Sequence, residues 1–131
     1  MTLASRAMAR LASWPDLTEA RPSCGTGRAL RSAHGEIVHF HSDREVDLHL
    51  TARAIHRFED HLKGATVVRM VPGSRWVTIR LEVDADIDLL LTLVSVALQS
   101  HQAWPVPRDA PPAGCNDHRR VTLSRDILTG G

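Results

Sequence analysis

His39 and His41, with Asp47 and His49 a few residues on, are the side chains whose types and spacing could do chemistry in this chain. Imidazoles titrate near neutrality, so a pair of them can exchange protons with a bound molecule or hydrogen-bond it, and a neighbouring carboxylate fixes the tautomer. The four fall in the stretch from Gly35 to Leu50, read with period two. Val38 and Phe40 point one way and His39 and His41 the other; beyond the polar bend Ser42-Asp43-Arg44-Glu45, the apolar Val46, Leu48 and Leu50 alternate with Asp47 and His49. An antiparallel register that turns the apolar set toward one core gathers His39, His41, Asp47 and His49 on the opposite face.

Three imidazoles on one face could also coordinate a metal, with Asp47 orienting one of them from behind. Nothing else in the chain sets metal geometry. His56 and His61 are five apart on a helix and share no face, and Cys24 and Cys115 lie far apart in loop-like sequence with no Cys-x-x-Cys pairing. The cysteines read as reduced thiols of a cytoplasmic protein, and neither a metal nor a cofactor is expected. His34, His56, His61, His101 and His118 read as surface or packing histidines. Ser42 beside His41 makes no nucleophile, because adjacent strand residues point to opposite faces, and Gly25-x-Gly27 lacks the third glycine of a phosphate loop.

The elements that must position the histidines follow in chain order. Leu3, Ala7, Met8 and Leu11 keep helical spacing and predict a short amphipathic helix over 3–13, stopped at Trp14-Pro15. Residues 16–27 read as a loop and 28–32 as a strand ahead of the hairpin. Thr51 caps a helix over 52–63 that carries Ile55, Phe58 and Leu62 and ends at Lys63-Gly64. A second hairpin follows, 66–71 and 75–82 about the turn Pro72-Gly73-Ser74, with Val77, Ile79 and Leu81 inward and Trp76, Thr78 and Arg80 outward. Asp84 caps the longest helix, apolar nearly all round from Ile87 to Leu98, which requires a central position under the sheet or a subunit interface. It falls short of the about 20 apolar residues that a membrane span needs. Residues 105–131 begin with Pro105, Pro107, Pro111 and Pro112 and read as a linker and a flexible or edge-strand tail, and removing residues 106–131 is expected to leave the melting temperature nearly unchanged.

This order predicts an α+β domain over 1–104: a mostly antiparallel sheet of about five strands with helices packed on one face, in two layers. A chain of 131 residues suits one such domain. A net charge of +1, with Lys63 the only lysine, gives no reason to expect nucleic acid as partner, and the Arg-bearing start has no apolar run for a secretory signal.

Gly27-Arg28-Ala29-Leu30, Glu36-Ile-Val-His-Phe-His, Asp47-Leu, a helix, Val71-Pro-Gly-Ser-Arg-Trp-Val and a final leucine-rich helix together resemble the luciferase-domain family over residues 11–103. These are small bacterial domains named for their similarity to the luciferase of luminous fungi. The resemblance implies that the histidine strand is the one carrying His39 and His41, that the acidic position is Asp47, and that the tryptophan strand carries Trp76 and Val77. Where the family often has a histidine before the second turn, this chain has Arg69. The name implies at most a cofactor-free oxygenase ancestry in one branch, and a shared name transfers no reaction.

The reading that follows is a small-molecule enzyme or ligand-binding domain working through the polar sheet face, with His39, His41 and Asp47 as its catalytic groups. His49, Arg69, Trp76, Thr78 and Arg80 are its expected ligand-binding groups. On an open polar face, His39→Ala and His41→Ala are expected to leave stability within about 1 kcal/mol. The alternative is an assembly domain, a homodimer through the long helix or the sheet face; antiparallel sheets commonly turn a polar face to water without any site there.

Overall fold

A computed structural model of the chain describes residues 2–25, 27–105 and 115–116. The elements in order are α1 (Leu3–Ala12), β1 (Thr18–Ala20), β2 (Arg28–Ser32), β3 (Gly35–Phe40), β4 (Glu45–His49), α2 (Ala52–Arg57), α3 (Glu59–Gly64), β5 (Val68–Met70), β6 (Trp76–Arg80) and α4 (Asp84–Ala103). Six strands form one antiparallel sheet in the order β1-β2-β3-β4-β6-β5. The fold is α+β, with one strand more than expected. That strand is β1, three residues long between Pro15 and Pro22, too short to show an alternation.

Val38, Val46, Leu48, Val77 and Ile79 are fully buried on the helix side of the sheet, together with Leu50 and Leu81. The long helix α4 packs across β3, β4 and β6, and Ile87, Leu90, Val94 and Ala97 join the same core. Its apolar girth is therefore used inside the monomer, where α1 covers another side through Ala4, Ala7, Met8 and Leu11. Arg6 pairs with Asp84, and Arg10 lies 3.5 Å from Asp88, so α1 is clipped to the first turn of α4 at its rim.

Three details of the helices differ from the sequence reading. The helix expected over 52–63 is two helices divided at Phe58, whose backbone (φ −106°, ψ 18°) departs from helical values. The division leaves Ile55 and Phe58 partly buried against the core, and Leu91 of α4 is likewise only partly buried. Asp84 is not the cap of α4. Val83 holds that position, and Asp86 reaches back to accept hydrogen bonds from Glu82 N (2.8 Å) and Val83 N (2.9 Å), satisfying donors that the helix start leaves open.

Candidate functional site

The register delivers the expected face. His39 pairs with Asp47, Asp47 with Thr78, and Thr78 with Arg69, so one row of alternate residues crosses β3, β4, β6 and β5; His49 pairs with Trp76 in the neighbouring position. A bulge extends the row in a way that strict alternation conceals. Leu30 faces Val38 but Arg31 faces Glu36, so Ile37 is the extra residue of β3, and the alternation shifts by one. Glu36 is thereby turned to the histidine side. Its Oε1 stands 3.3 Å from His39 Nε2, off the line of the N–H, and accepts a hydrogen bond from Ser23 N at 2.7 Å.

Unlike an open polar face, this one is covered. His39 is fully buried, Asp47, Trp76 and Thr78 nearly so, and His49 is 8% exposed. Two segments supply the cover. The turn holding Ser23, Cys24 and Gly25 brings Cys24 Sγ to 3.6 Å from His39 Nδ1. From the far end of the chain, Cys115 places its Sγ 3.5 Å from His41 Nε2, and Asp47 Oδ2 lies 3.4 Å from that same nitrogen. Asn116 then donates to Trp76 O (3.0 Å) and Thr78 Oγ1 (3.1 Å), and accepts from Ser74 Oγ at 2.5 Å, while Thr78 Oγ1 donates to Asp47 Oδ1 at 2.7 Å. At these two residues the chain returns to the sheet, at positions that the sequence reading had placed in the linker and tail.

The sequence reading had also left both cysteines outside the site, because unpatterned loops give no spacing to read. The fold converges Cys24, His39, His41 and Cys115 so that one ligand-type atom from each lies within 4.8 Å of every other. Cys115 is buried and Cys24 half-buried.

Beyond His39 the rings continue in a column. Trp76 lies 4.6 Å from His39, His49 stacks on Trp76 at 4.8 Å and 13°, and His101 meets His49 edge-on at 4.5 Å. His101, read from the sequence as an ordinary histidine, is 1% exposed, and its Nε2 lies 3.0 Å from the His49 carbonyl oxygen. His39 Nε2, His49 Nε2, Trp76 Nε1 and His101 Nδ1 are buried and have no hydrogen-bond partner among the described residues. Burial dominates the titration of the three histidines by disfavouring the charged ring. His49 is held down to about 3 by burial, reinforced by His101, Arg75 and His39. His39 is lowered by burial and by His41 against the opposing carboxylates of Glu36 and Asp47, and His101 is lowered by burial against its bond to the His49 carbonyl.

Not every expected residue belongs to this cluster. Arg69 is exposed on the edge strand, and Arg80 is exposed and lies 3.4 Å from Glu82. His34, His56 and His61 are exposed, and His118 lies outside the described residues. With His39 fully buried, the ground for expecting a near-neutral His39→Ala is gone, since that truncation now leaves a cavity in a polar core.

The class that fold and site define is a two-layer α+β domain whose six-stranded sheet buries an imidazole-rich face under its own loops. Residues 34–97 match the family model described as Luciferase domain, which supports assigning that stretch to the luciferase-domain family. The matched stretch contains His39, His41, Asp47 and Trp76, but neither Cys24 nor Cys115. No curated protein and no solved structure matches the chain.

Proposed function

We propose that this luciferase domain is a ligand-binding domain that works through the buried polar face of its sheet. His39 and His41 contact the ligand through their ring nitrogens, Glu36 and Asp47 hold the two rings, and His49, Trp76 and Thr78 line the face. The observation that carries the reading is the burial of this many imidazoles, three of which, with the Trp76 indole, have a nitrogen without a hydrogen-bond partner among the described residues. Such burial opposes stability, because each buried polar group without a partner costs about 1–3 kcal/mol. Apolar residues would make a better structural core, so polar residues retained at that cost, with histidines pushed from their ordinary range, point to a site.

An assembly role has less support. The face is covered within the monomer, and α4 turns its apolar residues into the monomer's own core, leaving Asp88, Thr92, Ser95 and Gln99 as its exposed stripe.

The test is a thermal-shift screen of the full chain against small organic molecules and inorganic ions. A stabilising ligand is expected to lose its effect in His39→Gln and His41→Gln and to keep it in His56→Ala. Ligands that stabilise the strand variants as they do the wild type would show that binding takes place elsewhere.

A further inference from the structure

We propose that the ligand of this face is a divalent metal ion of the zinc class, held by Cys24, His39, His41 and Cys115; the inference rests on the reading of the face as a ligand site and names what fills it. The donor set is the first argument. Two thiols and two imidazoles are the ligands of closed, four-coordinate zinc centres, and thiolates favour zinc over the hard cations magnesium and calcium.

Distance is the second argument. With metal–sulfur near 2.3 Å and metal–nitrogen near 2.0–2.1 Å at a tetrahedral angle, a sulfur and a nitrogen on one ion stand about 3.6 Å apart. The two sulfur–nitrogen contacts here are 3.6 Å for Cys24 and His39 and 3.5 Å for Cys115 and His41. All four donor atoms fall within 4.8 Å of one another, so side-chain shifts of about 1 Å bring each to bond length from one ion.

The surroundings are the third. If His39 binds through Nδ1, the nitrogen facing Cys24, then its Nε2 is the one beside Glu36, the carboxylate–histidine arrangement that orients metal-bound imidazoles. The nitrogen of His41 facing Cys115 also has Asp47 Oδ2 at 3.4 Å, adding negative charge where a cation would sit. The Cys24 turn is built to approach closely: Gly27 has φ +79°, and a Cβ there would stand 2.0 Å from the Phe40 carbonyl oxygen. Only glycine lets that turn lie against the end of β3.

The ligands come from three separated places, the Cys24 turn, the end of β3 and the Cys115 segment. An ion there ties the loop before β2 and the Cys115 segment to the sheet, so its binding free energy is also folding free energy. With four protein ligands the centre keeps no open position, which makes it a structural clasp.

The experiment is cobalt titration of the full chain, reduced and freed of metal by chelator, read by absorbance and followed by competition with zinc. One cobalt per chain is expected, with the intense visible bands of a tetrahedral ion and a thiolate-to-cobalt band in the near ultraviolet, all bleached by zinc. Cys24→Ser and Cys115→Ser should each lose the thiolate band in part and bind far more weakly, with folding checked by circular dichroism. Cys24→His, at the half-exposed position, keeps a donor and should still take up cobalt. Glu36→Gln should weaken binding about 10–100-fold, the usual cost of losing a carboxylate behind a metal-bound imidazole.

Cobalt bound without a thiolate band, or bound equally by both Cys→Ser variants, would overturn the assignment. Failure to bind any metal while an organic ligand from the screen still depends on His39 and His41 would sink the metal and leave the ligand face standing. Failure of both would remove the face as well, leaving the sulfur–nitrogen contacts as thiol–imidazole hydrogen bonds.

Discussion

At the scale of single residues, the buried histidines make acid the natural stress on this protein. His49 titrates near 3 in the folded chain, against its ordinary 6.5. Between those values the unfolded chain binds a proton that the folded chain refuses, so stability is fully present above about pH 6.5 and is lost progressively as pH falls toward 3. Each pH unit inside that window withdraws about 1.4 kcal/mol per such histidine. His101 is displaced in the same direction and adds to the slope. Urea unfolding at pH 7 and pH 5, with chelator present so that metal release does not contribute, is expected to show a loss of about 2 kcal/mol from His49 alone. His49→Phe, which keeps a ring against Trp76, should flatten the dependence; an unchanged slope would mean that His49 is protonated in the folded chain as readily as in the unfolded one.

At the scale of elements, the Cys24 turn is the part whose placement depends most on one backbone position. Gly27→Ala puts a methyl group into the Phe40 carbonyl, so the turn must lift away from β3 and carry Cys24 from His39. The expected outcome is a loss of metal binding comparable to that of Cys24→Ser, with helix content by circular dichroism unchanged. Binding at wild-type strength in Gly27→Ala would show that the turn needs no such approach. The same elements mark what could be read from the sequence. The faces of β3, β4 and β6 were legible because a buried core on one side forces the alternation that puts His39, Asp47 and Thr78 on the other. Glu36 was not legible, since the bulge at Ile37 arises from pairing with β2, a relation between strands rather than a pattern along one. Nor was the cysteine half of the site, because Cys24 and Cys115 sit where no periodicity exists and only the folded chain makes them neighbours.

For the whole molecule, the consequence is that the Cys24 turn and residues 115–116 both lie over the sheet, and the second of these segments is expected to matter to stability. Proline-rich composition after Trp104 suggests a dispensable tail, and composition alone argues that its removal is harmless. Asn116 argues otherwise: it is 1% exposed, bonds Ser74, Trp76 O and Thr78, and through Thr78 touches the carboxylate of Asp47 beside His41. Removing its side chain leaves a carbonyl and two hydroxyls to find new partners, at a cost of about 1–3 kcal/mol. A chain ending at Pro105 loses Asn116 and Cys115 together, so it should melt below Asn116→Ala and gain no further stability from zinc, whereas Asn116→Ala, with all four donors intact, should still be stabilised by the ion. These outcomes are read from melting curves of the three proteins with and without added zinc. A truncated chain that melts with the wild type in both conditions would mean that the segment contributes nothing, and the clasp would fall with it.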